Sequence, residues 1–156
     1  MNSAKLIIGM KSPDFKLTGS DDKEHTLSDY IGKKVILYFY PKDNTPGCTI
    51  EANDFKDNLA QIEALNTVVL GISRDSLTSH RKFCEKYSLS FILLSDMDDT
   101  VCKLYDVIKE KNMFGKKSMG IERSTFIIDE TGTIKDIFRK VKVDGHVENV
   151  IEKLKE

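Results

Sequence analysis

The chain has 156 residues, a formal net charge of −1 and 31% charged residues, which is ample for one core but gives no field to draw nucleic acid or an anionic membrane. Its opening, MNSAKLIIGMKSPDF, has no apolar run of signal-peptide length, and nothing later approaches a membrane span, so one cytoplasmic domain over residues 1–156 is expected. Three cysteines, an odd number scattered through the chain, do not make a disulfide framework and read as structural thiols, a metal set or redox groups.

DFKLTGSDDKEHTL places two short alternating stretches around Gly19-Ser20-Asp21-Asp22 and predicts a β-hairpin. KKVILYFYP is a continuous apolar run closed by Pro41, the pattern of a strand covered on both faces. From Thr45 the period becomes helical, with Ala52, Phe55, Leu59 and Ile62 on one apolar face. TVVLGIS predicts a second buried strand, SLTSHRKFCEKYSL a second helix, FILLSD a third strand and DDTVCKLYDV a further helix. RSTFIIDETGTIKDIFRKV reads as two strands joined by a turn at Asp129-Glu130-Thr131-Gly132, and DGHVENVIEKLKE as a closing helix with Asp144 as its expected cap. This order describes an α/β fold. Helical crossovers make the middle strands parallel and the late tight turn makes the last pair antiparallel, giving a mixed central sheet flanked by helices.

Cys48 falls just past the carboxyl end of the KKVILYFYP strand, where ligands usually meet an open α/β sheet. With Thr45 as N-cap, Pro46 takes N1, Gly47 N2 and Cys48 N3. The sulfur then lies beside unpaired amides at the positive end of the helix dipole, a position that favours the thiolate form. On position alone two readings stay open: a reactive thiolate, and a free cysteine packed beneath its helix.

The segment YFYPKDNTPGCTIE resembles the peroxiredoxins, in particular the peroxiredoxin Q or bacterioferritin comigratory protein branch. The signature of that family, Pro, three residues, Thr, two residues, Cys, is met by Pro41, Thr45 and Cys48, and the likeness continues through HTLSDYIGKKVILYFYP, GISRDS, KFCEKY, FILLSD and RSTFIIDETGTI. The resemblance implies a thioredoxin-like fold with an added N-terminal β-hairpin. It also implies a thiol peroxidase that reduces hydrogen peroxide or alkyl hydroperoxides without a cofactor or metal, the electrons coming from thiols. Cys48 would be the peroxidatic residue and pass through a sulfenic acid. Thr45 would hydrogen-bond the substrate, helped by backbone donors around Gly47 and Cys48, and Pro41 would wall the sulfur off from bulk water. Arg123 would favour the thiolate and position the peroxide, and Glu51 would orient that arginine. One Thr45 hydroxyl cannot serve both the cap and the peroxide, so Asp43 or Asn44 is expected to share the capping. Arg74 and Lys42 are weaker candidates for added positive potential.

Many members of this branch carry a second cysteine five residues after the first, and here Asn53 stands at that position. The sulfenic acid then has two routes onward, another cysteine of the chain or an external thiol. The resemblance places a resolving thiol at Cys84 in KFCEKY, whereas Cys102 has no such parallel and reads as a packed helix residue. Cys84 lies about two turns into its helix, ~12 Å along the axis, with packed helices ~8–10 Å apart, against the ~7 Å Cα separation that a disulfide tolerates. Local unwinding near Cys48, near Cys84 or at both is therefore expected in each turnover. By the same resemblance the reductant is thioredoxin, with glutaredoxin or a small thiol as lesser alternatives, and a monomer is favoured over an obligate oligomer. Other classes fit less well. A disulfide exchanger wants C-x-x-C where this chain has CTIE, and Cys48, Cys84, Cys102, His25, His80 and His146 lack zinc-type spacing. A one-cysteine peroxidase resolved externally, or a non-enzymatic redox sensor, would use the same thiol and differ in the fate of its oxidised form.

Overall fold

The computed structural model describes residues 5–156, so the first four residues of the opening segment lie outside it. In chain order the strands are β1 (Lys16–Thr18), β2 (Glu24–Thr26), β3 (Lys34–Phe39), β4 (Thr67–Ser73), β5 (Ile92–Ser95), β6 (Ile108–Met113), β7 (Lys116–Ile121), β8 (Ser124–Ile128) and β9 (Ile134–Phe138). The helices are α1 (Pro46–Asp57), α2 (Leu59–Ala64), α3 (Leu77–Tyr87), α4 (Thr100–Leu104) and α5 (His146–Leu154).

Five strands form the central sheet in the order β5-β4-β3-β8-β9, with β3, β4 and β5 parallel and β8 and β9 antiparallel to their neighbours. The two-residue period of β3 divides the interior. Val35, Leu37 and Phe39 face a cluster with Leu70, Ile72, Tyr105 and Phe126. Ile36, Tyr38 and Tyr40 face the opposite cluster, which contains Cys48, Ala52 and Phe55 of α1, Phe83 of α3 and Val147 and Val150 of α5. A strand apolar on both sides is what KKVILYFYP required, and it sits in the middle of the sheet. The expected N-terminal hairpin is β1–β2, and it shields the β5 edge through a bridge between Gly19 and Leu94.

Three local expectations are corrected and one element is new. The helix from Thr45 is two helices, divided at Asn58, whose side-chain Nδ2 donates to the Asp54 carbonyl where the chain leaves helical geometry. DDTVCKLYDV keeps helix only over Thr100–Leu104, because Asp96 takes the Val101 and Cys102 amides on its two carboxylate oxygens and fixes the start. Gly145 (φ 73°), not Asp144, is the N-cap of α5. The stretch between α4 and β8 forms an unforeseen hairpin, β6–β7, which turns on Phe114 (φ 55°) and Gly115 (φ 78°), the positive pair of a type I′ turn. By contrast, α3 matches its expected span, with the Ser76 hydroxyl accepting from the Ser79 amide and Ser88 closing it in left-handed geometry.

Candidate active site

The carboxyl end of β3 delivers Tyr40 and then the loop from Pro41 into α1. Thr45 is the N-cap residue, extended at φ −93° and ψ 158°, and Pro46 occupies the first turn as expected. The Thr45 hydroxyl does not cap: Oγ1 donates to the Lys42 carbonyl at 2.8 Å. Neither Asp43 nor Asn44 takes over. Asp43 accepts from Tyr40 and Ser79 and pairs with His80, while Asn44 accepts from Lys86 and Tyr87. The expected sharing of the cap is thus overturned, because both side chains are engaged with α3, and Asp43 with Tyr40 as well. Among the described residues the Gly47 and Cys48 amides have no hydrogen-bond partner, and the first backbone bond of the helix runs from Thr49 to the Thr45 carbonyl at 2.9 Å. Two free donors therefore stand next to the sulfur.

Cys48 is 1% exposed. Arg123, in the link from β7 to β8, reaches it across the sheet: Nη2 lies 3.4 Å from Sγ, while Nη1 donates to Glu51 Oε1 at 2.7 Å. One guanidinium fork thus spans the cysteine and the carboxylate one helical turn beyond it. Gly47 has a steric reason to be glycine, since a Cβ there would stand 3.1 Å from Arg123 Nη2. The structure brings Thr45, Gly47, Cys48, Glu51 and Arg123 to one site, and Pro41, half-exposed, starts the loop that leads into it.

Glu51 is 1% exposed, and burial pushes its pKa up to about 7 against the opposing pull of Arg123. Its second oxygen, Oε2, has no hydrogen-bond partner and faces His146 Nε2 at 3.9 Å. His146, at the start of α5, is held by Thr125 Oγ1 at 2.8 Å, and burial, aided by Arg123, pushes its pKa down to about 4. The buried Tyr38 hydroxyl also lacks a partner, and burial, then Glu51 and Cys48, raise its pKa well above the usual tyrosine value. Sequence reasoning missed Tyr38 and His146 as neighbours of the site. For Tyr38 the strand alternation offered a signal, because Ile36, Tyr38 and Tyr40 share a face. For His146 nothing in the sequence ties α5 to Glu51.

The other candidates lie elsewhere. Arg74 binds Asp99 and the Met119 carbonyl of β7, and Lys42 is exposed. Asn53 is turned onto its own helix, with Nδ2 donating to the Thr49 carbonyl at 3.0 Å. All three cysteines are free. Cys84 is half-buried on α3, and its pKa is raised by burial, with the Ser20 hydroxyl opposing and Asp43 and Glu85 adding. Cys102 is fully buried and its thiol is raised far above the ordinary range by burial and by Asp96. Asp43, Asp75 and His80 lie close enough to share a cation, but His80 Nδ1 and Asp43 Oδ2 are bonded to each other at 2.7 Å, so the trio is a hydrogen-bond network. No helix of the described residues is long and apolar enough to cross a membrane.

The model of the AhpC/TSA family matches residues 8–137. A putative peroxiredoxin Bcp of Coxiella burnetii is 54% identical over 94% of this chain and 97% of its own, and the peroxiredoxin Bcp of Bacillus subtilis is 49% identical over 96% and 95%. Among solved structures, a cysteine-to-serine variant of Xylella fastidiosa PrxQ superposes with a TM-score of 0.92 at 47% identity over 97% of each chain. The Xanthomonas campestris bacterioferritin comigratory protein, described for its alkyl peroxide reduction activity, superposes at 0.87 with 45% identity over 90% of each chain. The architecture is accordingly thioredoxin-like, and the chain belongs to the AhpC/TSA family as a thiol peroxidase of the peroxiredoxin Q and Bcp branch.

Proposed function

We propose that Cys48 is the peroxidatic residue and Cys84 its resolving partner. The observation that carries the first assignment is the Arg123 fork, which sets a permanent cation and spare N–H groups against a sulfur that also borders two unpaired amides. The Cys48 thiolate attacks one peroxide oxygen, an S–O bond forms as the O–O bond breaks, and the departing oxygen leaves as water or alcohol once protonated. Charge spreads along the S–O–O axis, so donors are needed at both oxygens, and Arg123 with the Gly47 and Cys48 amides supplies them. The Thr45 hydroxyl donates to the Lys42 carbonyl, which leaves its lone pairs to accept from the peroxide O–H. Pro41 screens the approach from bulk water, and Glu51 aims the guanidinium.

Cys84 is supported by its place on α3, a helix packed in the same cluster as Cys48, and by the absence of a thiol at Asn53. A dithiol of the thioredoxin type then reduces the disulfide, in a cytoplasm that keeps such thiols reduced. A monomer is favoured by the scatter of exposed apolar side chains, such as Ile7, Ile31, Met97 and Phe114, over different segments. Peptide mass mapping after one equivalent of hydrogen peroxide, without reductant, tests the cycle. A Cys48–Cys84 linked pair is expected, whereas a lasting sulfenate or an intermolecular link rejects Cys84 in favour of a one-cysteine cycle. Cys48→Ser should stay folded and consume no peroxide, and multiple turnovers with a supplied dithiol separate the enzyme from a sensor.

A further inference from the structure

Two adjacent residues of the loop leading into α1 hold α3 at both of its ends. At the first turn of α3, Asp43 Oδ2 accepts the Ser79 hydroxyl at 2.8 Å and meets His80 Nδ1 at 2.7 Å, while Asp43 Oδ1 accepts the Tyr40 hydroxyl at 2.6 Å. His80 is 0% exposed, and its Nε2 faces the Leu94 carbonyl at 3.0 Å. The Asp43 amide also donates to Asp75 Oδ2 at 2.8 Å. At the last turn, Asn44 (φ 60°) offers Oδ1 to Lys86 Nζ and to the Tyr87 hydroxyl, each at 3.2 Å. Cys84 lies between the two grips, and Cys48 is five residues past Asp43.

We propose that Asp43 and Asn44 form a clamp that makes unwinding at Cys48 and release of α3 one event, and that His80 is a positioning residue whose bond to Asp43 sets how readily Cys84 reaches the oxidised sulfur. The proposal rests on the reading of Cys84 as the resolving thiol. Moving the loop that carries Cys48 pulls Asp43 and Asn44 away from α3, and loosening α3 leaves the loop without its anchors, so neither segment opens alone. While the clamp is shut, burial holds Cys84 in its protonated, poorly nucleophilic form. Once it opens, the Cys84 sulfur attacks Cys48–SOH: an S–S bond forms, the S–O bond breaks, and the hydroxide leaves with the Cys84 proton as water. A sulfenic acid that waits behind a shut clamp instead meets a second hydroperoxide, whose O–O bond breaks to give sulfinic acid and alcohol. The clamp therefore sets the partition between disulfide and sulfinic acid.

Glutamine at position 80 places its amide nitrogen where His80 Nε2 lies and drops the Asp43 bond, whereas asparagine places its nitrogen at Nδ1 and keeps it. Reduced wild type, His80→Gln, His80→Asn and Tyr87→Phe are each pulsed with graded hydrogen peroxide, and disulfide and sulfinic acid are counted by mass spectrometry. Loss of a buried, charge-assisted bond should raise the peroxide concentration for half-sulfinylation about tenfold in His80→Gln. Tyr87→Phe should raise it about twofold, and His80→Asn should stay at the wild-type value. A merely structural histidine would lower the melting temperature in both position-80 variants without moving this ratio. The clamp is overturned if His80→Gln and Tyr87→Phe both partition like wild type, or if His80→Asn shifts as far as His80→Gln. If His80→Gln does not fold, an unchanged ratio in Tyr87→Phe overturns it. If wild type forms no Cys48–Cys84 disulfide at all, the resolving assignment fails first and the clamp falls with it.

Discussion

Replacing Glu51 by Gln removes a buried charge while keeping the shape of the side chain and an oxygen for Arg123 Nη1. Burial pushes the Glu51 pKa from 4.5 up to about 7, with Arg123 opposing and Asp54 adding. Between those values the folded chain holds a proton that the unfolded chain has released, so stability falls as pH rises from 4.5 to 7 and is flat above. For a single site with these two pKa values, the loss between pH 5 and pH 8 is about 2–3 kcal/mol. Gln is neutral throughout. Whatever constant offset the substitution brings, the stability of Glu51→Gln relative to wild type should rise by about 2–3 kcal/mol from pH 5 to pH 8. Urea unfolding of both reduced proteins at the two pH values, followed by far-ultraviolet circular dichroism, reads this double difference, in which titrating groups that do not interact with Glu51 cancel. A change below ~1 kcal/mol, or one of opposite sign, would refute the account of Glu51 as a sealed carboxylate. Peroxide consumption should move the other way at pH 8, falling in the variant because a neutral amide holds the guanidinium more weakly. A chain that keeps a destabilising carboxylate one turn beyond Cys48 is trading stability for the bond that holds Arg123 against the sulfur.

Three further outcomes rest on particular contacts. Gly47→Ala would put a Cβ 3.1 Å from Arg123 Nη2, so kcat/KM for peroxide should drop about tenfold while the melting temperature holds or rises, alanine being the better helix residue; unchanged activity with a lower melting temperature would contradict this. Cys102→Ala should leave peroxidase activity within about twofold and cost ~1 kcal/mol of stability in urea, because that sulfur is fully buried in the core away from the Cys48 site. Phe114→Asn should raise the melting temperature by about 1–3 °C, since residue 114 is 99% exposed at φ 55° in a turn that favours Asn-Gly; a decrease would show that the phenyl ring makes a contact worth more than the turn.

The parts of this site that were legible in the sequence are those set by short-range geometry. Thr45, Pro46, Gly47 and Cys48 are consecutive at the start of α1, so spacing alone placed the sulfur in the first turn, while the roles expected of Pro41, Thr45 and Glu51 rested on the family resemblance. Arg123 was reachable only through the family resemblance, because the sheet order that sets β8 beside β3 is not a local property. His146 and the contact of Asp43 with His80 stayed hidden for the same reason, being pairings across 95 and 37 residues that no periodicity encodes. The β6–β7 hairpin escaped because its strands, IKEKNM and KKSMGI, are mostly exposed and lysine-rich, and its turn is Phe-Gly where Asn-Gly would have signalled it. The break at Asn58 is likewise a competition between a side-chain amide and the backbone, invisible to an apolar stripe that continues through Leu59 and Ile62.

Asn53 also constrains how the oxidised sulfur must travel. A partner thiol five residues along α1 would require the helix to unwind through residue 53, dragging Glu51 and Ala52, each 1% exposed, out of the interior and breaking the Arg123 fork. Phe55, 0% exposed, would lose its footing next, and exposing a ring of that kind costs about 2–3 kcal/mol. A partner on α3 shifts the movement elsewhere. The first turn already has two unpaired amides and a proline, so freeing Cys48 breaks few backbone bonds, and in the proposed cycle the remaining distance would be covered by α3 letting go of Asp43 and Asn44. The side-chain bond from Asn53 to the Thr49 carbonyl can then stay closed through the cycle. With Cys84 as the resolving thiol proposed above, an asparagine at position 53 and a thiol at position 84 would be two halves of one solution, in which α1 keeps its core contacts and α3 makes the longer excursion.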